Sequence, residues 1–220
     1  MPLSPRLSAI IVAALAAASC HTVPTATRPA AAPPIVQPGA PGEASRVITS
    51  AAAADLSQVQ YVGADIKFMQ GMIGHHAQAI DMAALVASRS RSEDMKKLAL
   101  RIDVSQKDEI KMMGEWLTAR SQRVPNGHEH NMSGAPELMP GMLTPEEMAA
   151  LAAAHGEAFD RLFLEGMIKH HEGAITMVQD LFATPGAGQD PTIFSYASDV
   201  DADQRMEIDR MGAMLKELSK

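Results

Sequence analysis

From about residue 52 to the C-terminus, apolar residues recur three and four positions apart, and no stretch alternates convincingly between apolar and polar. That period belongs to amphipathic helices rather than strands. Start signals divide the run. Ser90 with Glu93 and Thr144 with Glu147 have capping-box spacing, and Pro145 stands at a first helical position. Asp190-Pro191 opens a last helix in a similar way. The pattern predicts helices over about 52–89, 92–121, 145–182 and 191–218, with a Gly/Pro/His/Met-rich connection over 122–143. Short turns within each half and one long connection between the halves predict an all-α four-helix bundle.

The halves repeat each other. Phe68 to Ala83, FMQGMIGHHAQAIDMA, returns as FLEGMIKHHEGAITMV, Phe163 to Val178, at an offset of 95 residues. Three residues before each Phe stands an aspartate, Asp65 and Asp160. QKDEIKMMG (Gln106 to Gly114) echoes QRMEIDRMG (Gln204 to Gly212), now at an offset of 98. The bundle is thus expected to be two copies of one helical hairpin.

The N-terminal 50 residues follow a different rule. Arg6 is the only charge before an apolar run, Leu7 to Ala18, followed by small residues. This order, over residues 1–19, is that of a secretory signal, and the run is too short for a membrane span of roughly 20 apolar residues. Ala17-Ala18-Ser19-Cys20 resembles a bacterial lipobox, although Ala17 stands where Leu is usual. Ordinary cleavage after Ala18 is the other reading, leaving Cys20 as a free thiol. Residues 20–50 carry prolines at 24, 29, 33, 34, 38 and 41, which favours an extended, disordered linker. The domain of interest is then 51–220.

Composition narrows the chemistry. Lys+Arg number 19 against Asp+Glu 26, and the net charge of −7 argues against nucleic-acid binding. A single cysteine excludes a disulfide framework and the Cys-rich zinc sites. There are 16 Met against 5 Phe, 2 Tyr and 1 Trp, and apart from Met1 every Met lies between Met69 and Met214. Met95, Met148, Met206 and Met214 are assigned to flexible core filling.

Advancing about 100° per residue from Phe68 puts Met69, Met72, Ile73, His76, Met82 and Ala83 on one arc, with Asp65 on it too. His75 falls at the rim, and Gln70, Gly74, Gln78 and Asp81 take the outer side. The second copy repeats this with Asp160, Met167, His171 and the rim residue His170; Met177 matches Met82. On the partner helices Gln106, Glu109 and Met113 share a face, as do Gln204, Glu207 and Met211. Such polar groups are costly to bury unless they meet each other, water or a metal. Imidazole with thioether suits Cu(I), and imidazole alone takes Cu(II); Ag(I) should bind the same ligands. The candidate metal ligands are His75, His76, His170, His171, Met72 and Met167, with Met69, Met82, Met177, Met113 and Met211. A secondary set lies in the connection: His128, His130, Met132, Met139 and Met142. The alternative is a carboxylate site for iron on Asp65, Glu109, Asp160 and Glu207, although the Glu-x-x-His of di-iron bundles is missing from both copies.

The pattern D-x2-F-[ML]-x2-MI-x-HH-x2-AI-x-M, present twice, resembles the bacterial family known as domain of unknown function 305. MPGM (Met139 to Met142) and FDRLF (Phe159 to Phe163) between the copies add to the likeness, which covers about residues 61–218. The resemblance implies an exported, ferritin-like bundle, with some members linked to copper binding and copper tolerance. It carries onto Met72, His75, His76, Met167, His170 and His171. The expected function is copper sequestration or transfer outside the cytoplasm by a chain facing the periplasm or exterior, not catalysis. A membrane contact is expected only through lipidated Cys20, with a metal-exchange partner unidentified and pairing of two chains left open. A di-metal oxidase and a purely structural bundle are the rivals.

Overall fold

The computed structural model describes residues 33–37, 44–54, 60–127 and 138–219. Its elements are β1 (Ile35–Gln37), β2 (Arg46–Ile48), α1 (Ser50–Ala54), α2 (Gly63–Arg89), α3 (Glu93–Ala119), α4 (Pro145–Ala153), α5 (Gly156–Ala183) and α6 (Pro191–Leu218). Residues 1–19, expected to be a secretory signal, and Cys20 lie outside the described residues. The chain divides at Asp55 into an N-terminal unit and a helical unit.

In the N-terminal unit β1 and β2 pair antiparallel, Ile35 with Ile48, Val36 with Val47 and Gln37 with Arg46. This corrects the expectation of a linker without regular structure over 20–50. The ladder uses stretches between and beyond the prolines, where backbone donors are available. Val36 and Val47 remain exposed, so it adds no core.

The helical unit is all-α, as expected. Helices α2 and α3 form one hairpin and α5 and α6 the other. Gly71 on α2 faces the Met177 methyl on α5, while Gly166 on α5 faces that of Met82 on α2. Early residues of each helix thus meet late residues of the other, which makes α2 and α5 antiparallel and relates the copies by a pseudo-twofold axis. Polar links tie α3 to α6 and its cap: Trp116 Nε1 donates to Asp190 Oδ1 at 3.4 Å, Arg120 at the end of α3 pairs with Asp190 at 2.7 Å, and Arg101 pairs with Glu207 at 3.2 Å.

The expected boundaries shift at three places. The first long helix starts at Gly63 rather than near 52, after extended Val62, whose N–H is taken by Asp65 Oδ2 at 2.8 Å. The expected 145–182 helix is two helices, because Ala154 and His155 are extended and Gly156 has φ +60°, a conformation open to glycine. The cap of α3 is Ser92, which accepts from Met95 N at 3.3 Å, instead of Ser90. The Thr144–Glu147 box forms as the sequence suggests. Asp190 caps α6 by accepting from the amides of Thr192 and Ile193.

Two apolar clusters fill the bundle. One gathers Phe68, Met69, Met72, Met113, Trp116, Val178 and Ile193; the other Met82, Met95, Leu98, Phe159, Phe163, Met167 and Met211. Both clusters draw on α2 and α5, on opposite sides of the histidine pairs. Met95 is core filling, and Met148 and Met214 pack against the second cluster. Met206 is corrected: it is 56% exposed and fills nothing.

The connection is packed onto the bundle. Gln70 Nε2 donates to Arg123 O at 2.7 Å, and Gly127 lies against Ala77. Farther on, Gln78 grips the Leu143 backbone, accepting its N–H at 2.7 Å and donating to its carbonyl at 2.9 Å. Gly74 and Gln78, expected on the outer side, are therefore buried under the connection. Gly141 (φ +75°) and Gly173 touch, and a Cβ on Gly173 would stand 1.9 Å from Pro140 O. Gly173→Ala is expected to lower stability by about 1–3 kcal/mol, the cost of overpacking, because the obstacle is backbone. Gly212 has open space around it, so Gly212→Ala should raise stability by up to about 1 kcal/mol through helix propensity. Thermal unfolding of both variants checks the pair of signs.

Candidate metal centre

All four histidines of the duplicated motif have no exposed surface. Neighbouring positions on a helix point about 100° apart, so each His-His pair serves two interfaces. His75 and His170 face each other where α2 crosses α5, ring centroids 3.8 Å apart and planes 37° apart. This overturns the rim position expected for them; the wheel allowed one inward face, whereas α2 and α5 have two. His75 Nε2–H donates to Pro140 O at 2.9 Å. His170 Nε2–H donates to the His75 carbonyl at 2.9 Å. A carbonyl oxygen only accepts, so both rings carry their proton on Nε2.

His76 and His171 turn toward the flanking helices. His76 Nε2–H donates to Glu109 Oε2 and His171 Nε2–H to Glu207 Oε2, each at 2.7 Å. The Tyr196 hydroxyl oxygen lies 3.2 Å from His76 Nε2. Burial, and then the Glu109 charge, hold that phenol well above its usual pKa, so it keeps its proton. The Nδ1 atoms of His76, His170 and His171 are buried with no hydrogen-bond partner. Three imidazole lone pairs are thus fixed in direction by what their Nε2–H groups hold, and left unused. This is how second-shell acceptors orient a histidine for a metal.

The two copies are not equivalent here. Glu207 is buried and also meets Arg101 Nε at 3.2 Å, whereas the Glu109 side chain is 26% exposed and has the phenol beside it. At the matching positions stand Asp199 for Arg101 and Leu98 for Tyr196.

Thioethers surround this layer. Met69, Met72, Met82, Met113, Met167 and Met211 are fully buried; Met177 is partly buried. Met139 Sδ packs at Gly71 and Met142 is buried in the strap over the crossing. His128, His130 and Met132 lie outside the described residues.

The four carboxylates do not gather. Asp65 caps α2 and accepts from Gly188 N at 2.7 Å, eleven residues, or roughly 16 Å of helix, from His76. Asp160 stands at the opposite end of the bundle. Among the described residues no three His, Cys, Asp or Glu side chains form a group that could hold a metal ion.

Comparison with known proteins places the chain at this point. The family described as Domain of unknown function (DUF305) matches residues 65–215. The chain belongs to this family. A DUF305 fragment from Deinococcus radiodurans is 30% identical, with a TM-score of 0.62 over 71% of this chain and 98% of that one. A DUF305 protein from Streptomyces coelicolor is 28% identical, again at TM-score 0.62, over 71% and 94% of the two chains. CopM in its Cu(II)-bound form is 30% identical, with a TM-score of 0.58 over 70% of this chain and 96% of that chain. CopM is also known with Cu(I) and with silver. One further relative, uncharacterized protein L153 of Acanthamoeba polyphaga mimivirus, is 38% identical over 56 residues; the match spans 37% of its length.

Sequence reasoning missed Pro140, Tyr196 and Arg101 as neighbours of the histidine layer and Gln78 as the anchor of the strap. The MPGM run was visible, but that its proline carbonyl receives a histidine proton is a tertiary fact.

Burial, followed by the neighbouring His75, His171 and His76, holds His170 well below the ordinary imidazole pKa of 6.5. The unfolded chain therefore binds a proton at His170 as pH falls below about 6.5, while the folded chain resists it, and stability falls with pH. Denaturant unfolding of the metal-free chain is expected to give a level stability above about pH 7 and a decline from about pH 6.5 downward. A level profile through pH 5.5 would show that His170 is not kept neutral.

Proposed function

We propose that this chain binds copper as cargo, Cu(I) in preference to Cu(II), and holds or passes it on outside the cytoplasm. The observation that carries this reading is the set of buried imidazole lone pairs, unpartnered and fixed in direction, in a core where buried thioethers stand among the aliphatic and aromatic side chains. His76 and His171 with Met72 and Met167 are the core ligands. His170 lies with His75 at the helix crossing. Met69, Met82, Met113, Met177 and Met211 provide the softer lining, joined by Met139 and Met142 of the packed strap, and His128, His130 and Met132 capture ions from solution. Cu(I) accepts few, soft ligands, so thioethers make up for the missing third His or carboxylate. That CopM binds Cu(I), Cu(II) and silver on a similar fold supports the choice of metal. The dispersed carboxylates give no support to the di-iron alternative. Export by residues 1–19, and a lipid anchor on Cys20, would put the bundle where thiol-free copper handling is needed.

The test is anaerobic Cu(I) titration against a chromophoric chelator, with His75→Ala/His76→Ala/His170→Ala/His171→Ala beside the wild type. The wild type is expected to take copper from the chelator and the quadruple variant to fail. The volume-conserving pair Met72→Leu/Met167→Leu keeps the core filled and should still lose Cu(I). Glu109→Gln/Glu207→Gln, which replaces the carboxylates the imidazoles donate to and also gives up the Arg101 ion pair, should weaken binding about 10- to 100-fold. A wild type that leaves the copper on a weak chelator would refute the reading.

A further inference from the structure

The two ends of the bundle are built on the same plan but finished differently. At one end Asp65 is fully occupied, its two oxygens taking the amides of Val62 and Gly188. Gly188 belongs to the α5–α6 loop. The change of repeat offset from 95 to 98 puts three additional residues between the matching motifs, and this loop, 184–190, has seven residues where its counterpart between α2 and α3, 90–92, has three. At the other end the shorter turn, Ser90 to Ser92, supplies no such amide. Asp160, the equivalent of Asp65, is only 5% exposed, yet its Oδ1 has no hydrogen-bond partner. An unsatisfied buried carboxylate is costly.

What lies beside Asp160 is a cavity of about 530 Å³, lined by Arg89, Arg91, His155, Gly156 and Glu157 as well as Asp160. Its charges are present but not used on one another. Arg89 Nη1 donates to His155 Nε2 at 2.7 Å, while Arg89 Nε is buried without a partner. Neither Arg89 nor Arg91 pairs with a carboxylate among the described residues. The cavity also receives the N-terminus of α5, a helix of 28 residues whose N-cap His155 makes no side-chain cap bond. The first-turn amides and the helix dipole there favour an anion. One rim thus asks for an N–H donor and the other for a carboxylate.

We propose that this cavity binds a small ligand with an N–H donor next to a carboxylate, that is, a free amino acid or the C-terminal residue of a peptide. The donor takes the place at Asp160 that the Gly188 amide holds at Asp65. The carboxylate meets Arg89, Arg91 and the α5 N-terminus. The site lies at the Asp160 end of the bundle, apart from the histidine layer, and does not depend on copper.

The test is NMR titration of the intact chain, metal-free, following the arginine Nε–H signals and the Gly156 amide. The probes are glycine, N-acetylglycine, acetate and methylammonium. Glycine or N-acetylglycine is expected to give saturable shifts of these signals, and acetate and methylammonium far weaker ones. A response to glycine alone assigns a free amino acid; a response to N-acetylglycine assigns a peptide C-terminus. Asp160→Asn should weaken binding at least about tenfold, the worth of one charge-assisted hydrogen bond. Arg91→Ala, a change at an exposed position, should do the same without touching the core. Acetate binding as tightly as glycine, retention of binding in Asp160→Asn, or no saturable shift in the wild type would each overturn the proposal.

Discussion

The bundle depends on how four imidazoles are buried at one level. Each ring brings an N–H that has to be satisfied once water is gone, and each solves this with a different element. His75 holds the strap through Pro140, His170 holds the backbone of α2, and His76 and His171 hold carboxylates on α3 and α6. One layer therefore ties the four long helices and the connection together. It also divides the apolar interior into two clusters. A hydrophobic layer would hold the helices just as firmly, but would leave no lone pairs facing inward. The thioethers in both clusters add soft donors to an otherwise aliphatic and aromatic interior.

Duplication makes the two halves comparable position by position, and the differences are as informative as the matches. Glu109 and Glu207 perform the same service for their histidines, but one sits beside a phenol and the other beside a guanidinium. Gln78 grips the strap, and its counterpart Gly173 makes room for it. The longer α5–α6 loop delivers an amide to Asp65, whereas the short α2–α3 turn delivers none to Asp160. A single connection can lie across only one side of a twofold axis, so the strap itself separates Gln78 from its counterpart Gly173.

The hairpins, the repeat and the identity of the inward histidines and methionines were legible in the sequence, since period and duplication report directly on helix faces. The split of the inward face was not. A wheel drawn for one helix has no means of separating the face toward α3 from the face toward α5, and so put His75 and His170 at a rim when they are the most central pair. Gln78 failed for a related reason: a polar residue opposite the core is read as solvated unless the chain that covers it is known. The break at His155-Gly156 was hidden because apolar periodicity continues through it. The β1–β2 ladder was missed because proline density describes a segment, not the few residues between prolines.

The strap also has a consequence for the order in which the chain assembles. Its seat consists of Gly71 and Gln78 from the first hairpin and Lys169 and Gly173 from the second. Each hairpin is made of contacts close in sequence, which form early and at little entropic cost. The seat exists only after the two hairpins have met, so residues 139–143 can settle only after that. The segment that links the halves along the chain joins them in space only once they have already joined each other.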